Sequence, residues 1–304
     1  MNHAQDSLAD WAMLAEARRG WISDVVWSPQ GQALALAGAT GISLWSCVRG
    51  QLRLRRVLEG HQGPVKGIAV SADGSLLASA GADRRICLWD LRHGGARRTL
   101  EGHESSVERV AFSPDDRLLA SAGADGSVRL HEVATGRELR ALRGHADEAR
   151  ALCFCEGGRL LASGGRDRRV LVHSVASGAL LHSEQHDDWL RALLPWPADD
   201  AWLLSASRDG ELRLWPGRGG TPRLSLRAHD GGLDCAAFSP EGSLLVSGGR
   251  DCMLRGRRVS DGADLGHIAA HERPVLALAF SPDGRRLASG GGDNRLRLWR
   301  RAAR

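Results

Sequence analysis

The chain has 304 residues, 42% of them hydrophobic and 25% charged, a balance that supports a globular fold with a real core and excludes fibrous or disordered classes. No run approaches the roughly 18 consecutive apolar residues of a membrane helix, and the polar stretch 1–10 lacks the basic and apolar regions of a secretory signal, so a cytoplasmic protein without membrane attachment is expected. The net charge of +5 rests on arginine, with Lys66 the single lysine; it is a weak hint of acidic partners until its local distribution is known.

The first unit reads as short strands at 21–27, 33–37 and 42–45, with Ser28-Pro29-Gln30-Gly31 as a turn. Ahead of it, residues 11–16 form another strand candidate. From residue 53 onward the pattern repeats. In the third unit, strands at 107–112, 118–122 and 128–132 are separated by Ser113-Pro114-Asp115-Asp116 and Ala124-Asp125-Gly126. Residues 98–100, before Gly102-His103, form the outermost strand.

The period is fixed by His61, His103, His145, His186, His229 and His271, spaced 42, 42, 41, 43 and 42 residues apart. Asp83, Asp125, Asp167, Asp209, Asp251 and Asp293 follow them by 22 or 23 positions, each preceded four positions earlier by Ser79, Ser121, Ser163, Ser205, Ser247 or Ser289. Six positions after the aspartates stand Trp89, His131, His173, Trp215, Arg257 and Trp299. Units at about 11–46, 53–90, 95–132, 137–174, 179–216, 221–258 and 263–300 follow. The first departs most, with Arg18, Leu36 and Ala39 or Thr40 at the histidine, serine and aspartate positions. Four short strands per unit need both sheet faces covered, and stacking the sheets about an axis covers them.

With Gly60-His61 and Trp89-Asp90 as its fullest match, the chain resembles the WD-repeat propellers over nearly all its length. The resemblance implies an all-β, seven-bladed propeller of four-stranded antiparallel blades. The last unit stops at Trp299 after its third strand, so the segment 11–16 is expected to close the ring. The resemblance also implies that histidine, serine, aspartate and the strand-end tryptophan form buried hydrogen-bond chains, and that an N–H donor survives where His131 or His173 replaces tryptophan. Arg257 cannot imitate the indole.

The Ser-His-Asp sets have the residue types of a hydrolase triad. Their sixfold recurrence, and serines lying mid-strand in apolar runs, argue for structure over catalysis; no catalytic residue is expected. The six cysteines (47, 87, 153, 155, 235 and 252) form no CxxC pair and read as free thiols. His182 and His186 with Asp187 and Asp188 resemble a small metal cluster, but His186 already belongs to the repeat, so no metal or other cofactor is expected.

In propellers of this kind the variable residues around the channel mouth carry recognition. By position these are Trp21, Pro64, Ser106, Glu148, Trp189, Gly232 and Pro274; then Ser23, Lys66, Glu108, Arg150, Arg191, Asp234 and Leu276; then the residue before each aspartate, including Arg166, Arg208 and Arg250. The candidate partner-binding set is therefore Trp21, Lys66, Arg150, Arg166, Trp189, Arg191, Arg208 and Arg250. Arginine forks and tryptophans suit an acidic or phosphorylated protein segment, held by a non-catalytic scaffold that is a monomer within a complex. Nucleic acid bound by the same arginine-rich sector is the alternative.

Overall fold

A computed structural model describes residues 7–301, and these form strands throughout apart from one short 3-10 turn at Leu8–Asp10. Among the described residues no helix is long and apolar enough to cross a membrane. Seven separate four-stranded antiparallel sheets account for all the strands. Blades one to six occupy 22–58, 65–100, 107–142, 149–185, 190–227 and 233–269. Each is a plain meander, innermost strand first.

Blade seven is different. Its three inner strands come from 275–301 and its outermost strand is Trp11–Arg18. That strand runs antiparallel to Arg295–Arg301, from Trp11 opposite Arg301 to Arg18 opposite Arg295, with one bulge between Met13 and Ala15. Trp11 is buried and packs edge-on against Phe280 with ring centroids 5.8 Å apart. Sequence unit and sheet are offset throughout: residues 96–100, which open the third sequence unit, pair with the strand at 86–90 and so belong to blade two. This offset is what lets the two chain ends share one sheet.

The strands form where the sequence alternates for them. The second strand of most blades is an apolar run buried on both faces, such as Leu76–Gly81 and Leu160–Gly165, as expected of a strand sandwiched between neighbouring sheets. Outermost strands such as Glu138–Leu142 are mostly exposed. The core is correspondingly not central. It consists of seven apolar clusters, each straddling two adjacent blades. The seventh interface joins Ile22, Leu34 and Trp45 of blade one to Ala288, Leu296 and Leu298 of blade seven. The apolar seam therefore runs round the ring without a break, and each buried large side chain contributes ~1.5–3 kcal/mol.

Ring closure gives a direct expectation. Removing residues 1–17 strips the outer strand with Leu8 and Trp11, which costs on the order of 3 kcal/mol in apolar burial and opens a sheet edge. The truncated chain should melt earlier and associate on size-exclusion chromatography; a melt and elution identical to the full chain would refute the closure.

Candidate functional site

The residues that recur and the residues that vary sit close together on each blade. Among the recurring ones, His61 places Nδ1 3.0 Å from the Asp83 carboxylate and Nε2 2.7 Å from Ser79 Oγ, while Trp89 Nε1 donates to the same Oγ at 2.8 Å. An ionised aspartate accepts the Nδ1 proton, so Nε2 accepts from the serine hydroxyl and the serine oxygen in turn accepts from the indole. Blade seven repeats this with His271, Asp293, Ser289 and Trp299 at 2.8–2.9 Å. His103, His145 and His229 make the same two contacts, with Asp125 and Ser121, Asp167 and Ser163, and Asp251 and Ser247 respectively. The aspartates also accept backbone N–H groups of the histidine loops, for example Gln62 at 2.8 Å and Glu104 at 2.9 Å. Each set ties a loop and a tight turn to the middle of its sheet. Ser79, Ser121 and Ser205 are fully buried, leaving no room for a substrate at the hydroxyl.

Two outer ends, at His131 and His173, differ from the expectation, and a third, at Arg257, departs from the tryptophan pattern as expected. His131 is buried, yet neither ring nitrogen has a hydrogen-bond partner. An imidazole is shorter than an indole and does not reach the serine from that strand position, so the expected donor is lost. Among the described residues His173 makes no hydrogen bond to Ser163, whose hydroxyl meets only His145. Arg257 turns outward to Asp264. In blade one the indole survives without its serine: Trp45 Nε1 donates to Ser43 Oγ at 2.9 Å, a serine lying opposite Leu36 on the neighbouring strand.

Blade five departs at the centre. His186 Nε2 lies 3.0 Å from Ser205 Oγ, and Trp215 Nε1 donates to that oxygen at 2.9 Å, but Asp209 does not join the histidine. Its carboxylate accepts from Ser207 Oγ instead. The cause is one side chain. Ser207 stands where the other five sets have Gly81, Gly123, Gly165, Gly249 and Gly291, and a Cβ on those glycines would come within 2.3–2.7 Å of the histidine Nδ1. His186 Nδ1 is left without a hydrogen-bond partner, 3.8 Å from Glu211 Oε2, which also lacks one. Such buried orphans cost ~1–3 kcal/mol each. The extra residue in the His186–Asp209 spacing falls in the hairpin after Trp196, at the far end of the blade, and plays no part in this.

The varying residues converge on the channel mouth. Ser23, Lys66, Glu108, Arg150, Arg191, Asp234 and Leu276, one from each blade, line a cavity of about 250 Å³ together with Trp21 and Arg109. The arginine sector of blades four to six is heavily cross-linked. Glu148 takes Arg150 at 2.6 Å and Arg166 at 2.7 Å; burial alone would raise its pKa, but the two guanidinium bonds outweigh burial and hold it below the usual value. Asp234, buried, takes Arg191 and, at 3.6 Å, Arg250. Trp189 is flanked by Arg166 at 4.0 Å and Arg208 at 4.8 Å from its ring centroid, and Arg208 forms no ion pair among the described residues. Across the ring Lys66 lies 5.9 Å from the Trp21 ring, with Trp21 41% exposed. Sequence reasoning missed one channel element: Asp24, which accepts from Arg109 at 2.5 Å and from the Ile68 backbone N–H at 3.0 Å, bridging three blades.

Two expectations follow from the buried sets. Gly123→Ser places a Cβ against His103 and Asp125 and should lower stability by ~1–3 kcal/mol, read by denaturant unfolding; an unchanged midpoint would contradict the account of blade five. Burial holds His103, His131, His173, His186, His229 and His271 below the ordinary histidine value of 6.5, His131 at about 4. The unfolded chain therefore takes up protons that the folded chain refuses, so stability is complete above about pH 6.5 and declines as pH falls toward about 4. Asp125, whose pKa is about 2, keeps its contribution over that range. Melting temperatures that stay flat between these pH values would refute it.

Comparison with known proteins agrees with this architecture. The profile described as "WD domain, G-beta repeat" matches residues 52–90, 94–132, 136–174, 178–216, 220–255 and 262–300. Among curated proteins, the chain is 40% identical over 82 residues to the small ribosomal subunit protein RACK1y of Oryza sativa subsp. japonica, 26% of this chain and 24% of that protein. It is 38% identical over 77 residues to the small ribosomal subunit protein RACK1 of Caenorhabditis elegans, 24% and 23% of the two chains. It is 32% identical over 81 residues to the probable cytosolic iron-sulfur protein assembly protein 1 of Malassezia globosa, 23% of each. These matches span about a quarter of each relative. With six matched repeats covering most of its length, and a seventh sheet completing the ring, the chain belongs to the WD-repeat family.

Proposed function

We propose that the protein is a non-catalytic, cytoplasmic scaffold that holds an acidic or phosphorylated protein segment at the channel mouth, on Trp189 and the arginines around it. The observation that carries this reading is the stacking of Arg166 and Arg208 against Trp189. Stacking fixes a planar guanidinium in place, and at Arg208, which has no ion pair among the described residues, it leaves N–H groups free to fork onto a carboxylate or phosphate. The neighbouring ion pairs add to it. Glu148 is shared by two arginines and Asp234 by two more, so each cluster keeps an excess positive charge after its internal carboxylate is neutralised. Trp21 and Lys66 supply a second anchor across the mouth. The relatives' names, a small ribosomal subunit protein and a cytosolic iron-sulfur protein assembly protein, suit a monomer working within a larger complex and a cytoplasmic setting. Nucleic acid is less well served. Glu108, Glu148 and Asp234 interrupt the basic rim, and a mouth of about 250 Å³ fits a side chain or single phosphate better than a tracked backbone.

The test is fluorescence anisotropy with a labelled phosphoserine- and glutamate-rich peptide, with single-stranded DNA titrated in parallel at low and moderate salt. Simultaneous Arg166→Glu, Arg208→Glu and Arg250→Glu should weaken peptide binding by more than about tenfold, since each charge-assisted bond is worth ~1.5–3 kcal/mol. Unchanged peptide affinity would end the proposal. Tighter binding of the DNA, with a steep salt dependence, would favour the nucleic-acid reading.

A further inference from the structure

We propose that the outer wall of blades one and two is a docking face for an anionic phospholipid surface, bound peripherally through arginines and a few aliphatic side chains. The expectation of no membrane attachment rested on the lack of a spanning run and of a secretory signal, and neither bears on a peripheral contact. The outermost strands lie farthest from the channel, so a protein held by this wall keeps its mouth clear for a partner. The two readings therefore stand or fall separately.

Charge is the first observation. The outer hairpin of blade one, Gly41–Val48 turning into Gln51–Leu58, carries Arg49, Arg53, Arg55 and Arg56. That of blade two, Ile86–Asp90 turning into Ala96–Leu100, carries Arg92, Arg97 and Arg98. All seven are exposed, and the spans 49–58 and 92–98 contain no carboxylate. Their side-chain hydrogen bonds go to uncharged acceptors: Arg53 to Gln51, Arg55 to Ser46, Arg56 to the His93 carbonyl and Arg98 to the Ala134 carbonyl. None forms an ion pair among the described residues, and Asp90 is taken by His93 and by backbone N–H groups. The Arg56 bond, at 3.0 Å, joins the two hairpins into one wall. Seven charges exceed the net +5 of the whole chain, so the rest of the molecule is net negative. Such a distribution turns this wall toward an anionic plane and the remainder away from it.

The independent observation is apolar. Seven large hydrophobic side chains are exposed among the described residues, and three of them are here: Met13 at 55%, Val48 at 56% and Leu54 at 46%. Val48 precedes Arg49, and Leu54 lies between Arg53 and Arg55. Met13 belongs to the closing strand, which adjoins the same hairpin: a Cβ on Gly50 would lie 2.9 Å from Leu14. Aliphatic groups bracketed by cations gain nothing from a phosphodiester backbone. At a bilayer they enter the boundary between headgroups and acyl chains, while the guanidinium groups stay with the lipid phosphates. Neither hairpin has an exposed Phe or Trp on which an unpaired base could stack. The outer wall of a ring is also convex, so a plane meets more of the seven arginines than a second convex body such as a duplex.

The experiment is co-sedimentation of the full chain with vesicles of phosphatidylcholine alone and of phosphatidylcholine mixed with phosphatidylglycerol, at low and moderate salt. Binding is expected only where phosphatidylglycerol is present, and added salt should weaken it. Simultaneous Arg53→Ala, Arg92→Ala and Arg97→Ala removes side chains that hold no neighbouring blade. It should weaken binding by at least about thirtyfold, since each basic residue near such a surface contributes about fivefold. Val48→Ser with Leu54→Ser keeps every charge and should weaken binding by at least about threefold. Thermal melts of both variants, matching that of the unaltered chain, verify the fold. No sedimentation with the anionic vesicles, or sedimentation that both sets of substitutions leave unchanged, overturns the proposal. Labelled single-stranded RNA and duplex DNA are titrated in parallel. Tighter binding of either at the same salt, with no loss in the serine variant, assigns the wall to nucleic acid and overturns the membrane reading.

Discussion

A histidine can bridge a carboxylate and a mid-strand serine in these blades only because the backbone beside it carries no side chain. The imidazole lies across the end of the second strand, and at Gly81, Gly123, Gly165, Gly249 and Gly291 a Cβ would overlap its Nδ1. Given that gap, the rest is determined. The imidazole reaches from the loop to a fully buried hydroxyl, the hydroxyl takes an indole or stands alone, and the carboxylate gathers the loop's backbone N–H groups. The bridging imidazole, the hydroxyl and the carboxylate so buried all have partners, which is the condition for a polar group to stay inside an apolar sheet stack. Where the gap is filled, as by Ser207, the bridge fails locally while the sheet pairing goes on unchanged.

The two periodic signals, histidine to aspartate and apolar strand to turn, were enough to read the number of blades, the strands of the units and the closure by residues 11–16, which the structure extends to Arg18, because each is a repeated local requirement. Contacts that depend on the distance between blades were not legible. Arg191 and Asp234 are 43 residues apart, and Arg166 and Glu148 are 18 apart; nothing in the sequence distinguishes these arginines from others that meet only solvent. The rim positions could be located in sequence, but the sharing of one carboxylate by two arginines could not. Two readings went astray for want of a length scale. His131 has the right chemistry and too short a ring. Ser207, one methylene and a hydroxyl beyond glycine, sits in a serine-rich sequence where only the geometry shows its cost.

The stability and the variable residues of the channel mouth draw on different atoms. Cohesion comes from seven inter-blade apolar clusters and from strand pairing, which lie behind the mouth. Residues at the mouth can therefore change without opening the ring. Asp24 is the exception: by holding both Arg109 and the Ile68 backbone it couples the channel lining to the blade spacing.

Under the proposed function, the arginine sector is where that freedom would serve binding. An isolated arginine loses much of its rotamer freedom when it grips a ligand. Here Arg150, Arg166, Arg191 and Arg250 are already held by Glu148 and Asp234, and Arg166 and Arg208 by the face of Trp189. The carboxylates lower the net charge of the sector, which weakens long-range attraction, yet they fix the forks before a partner arrives. Such a surface trades steering for pre-organisation. On the proposed reading it should discriminate by the position of a partner's acidic groups more than by their number, the opposite of a general polyanion trap.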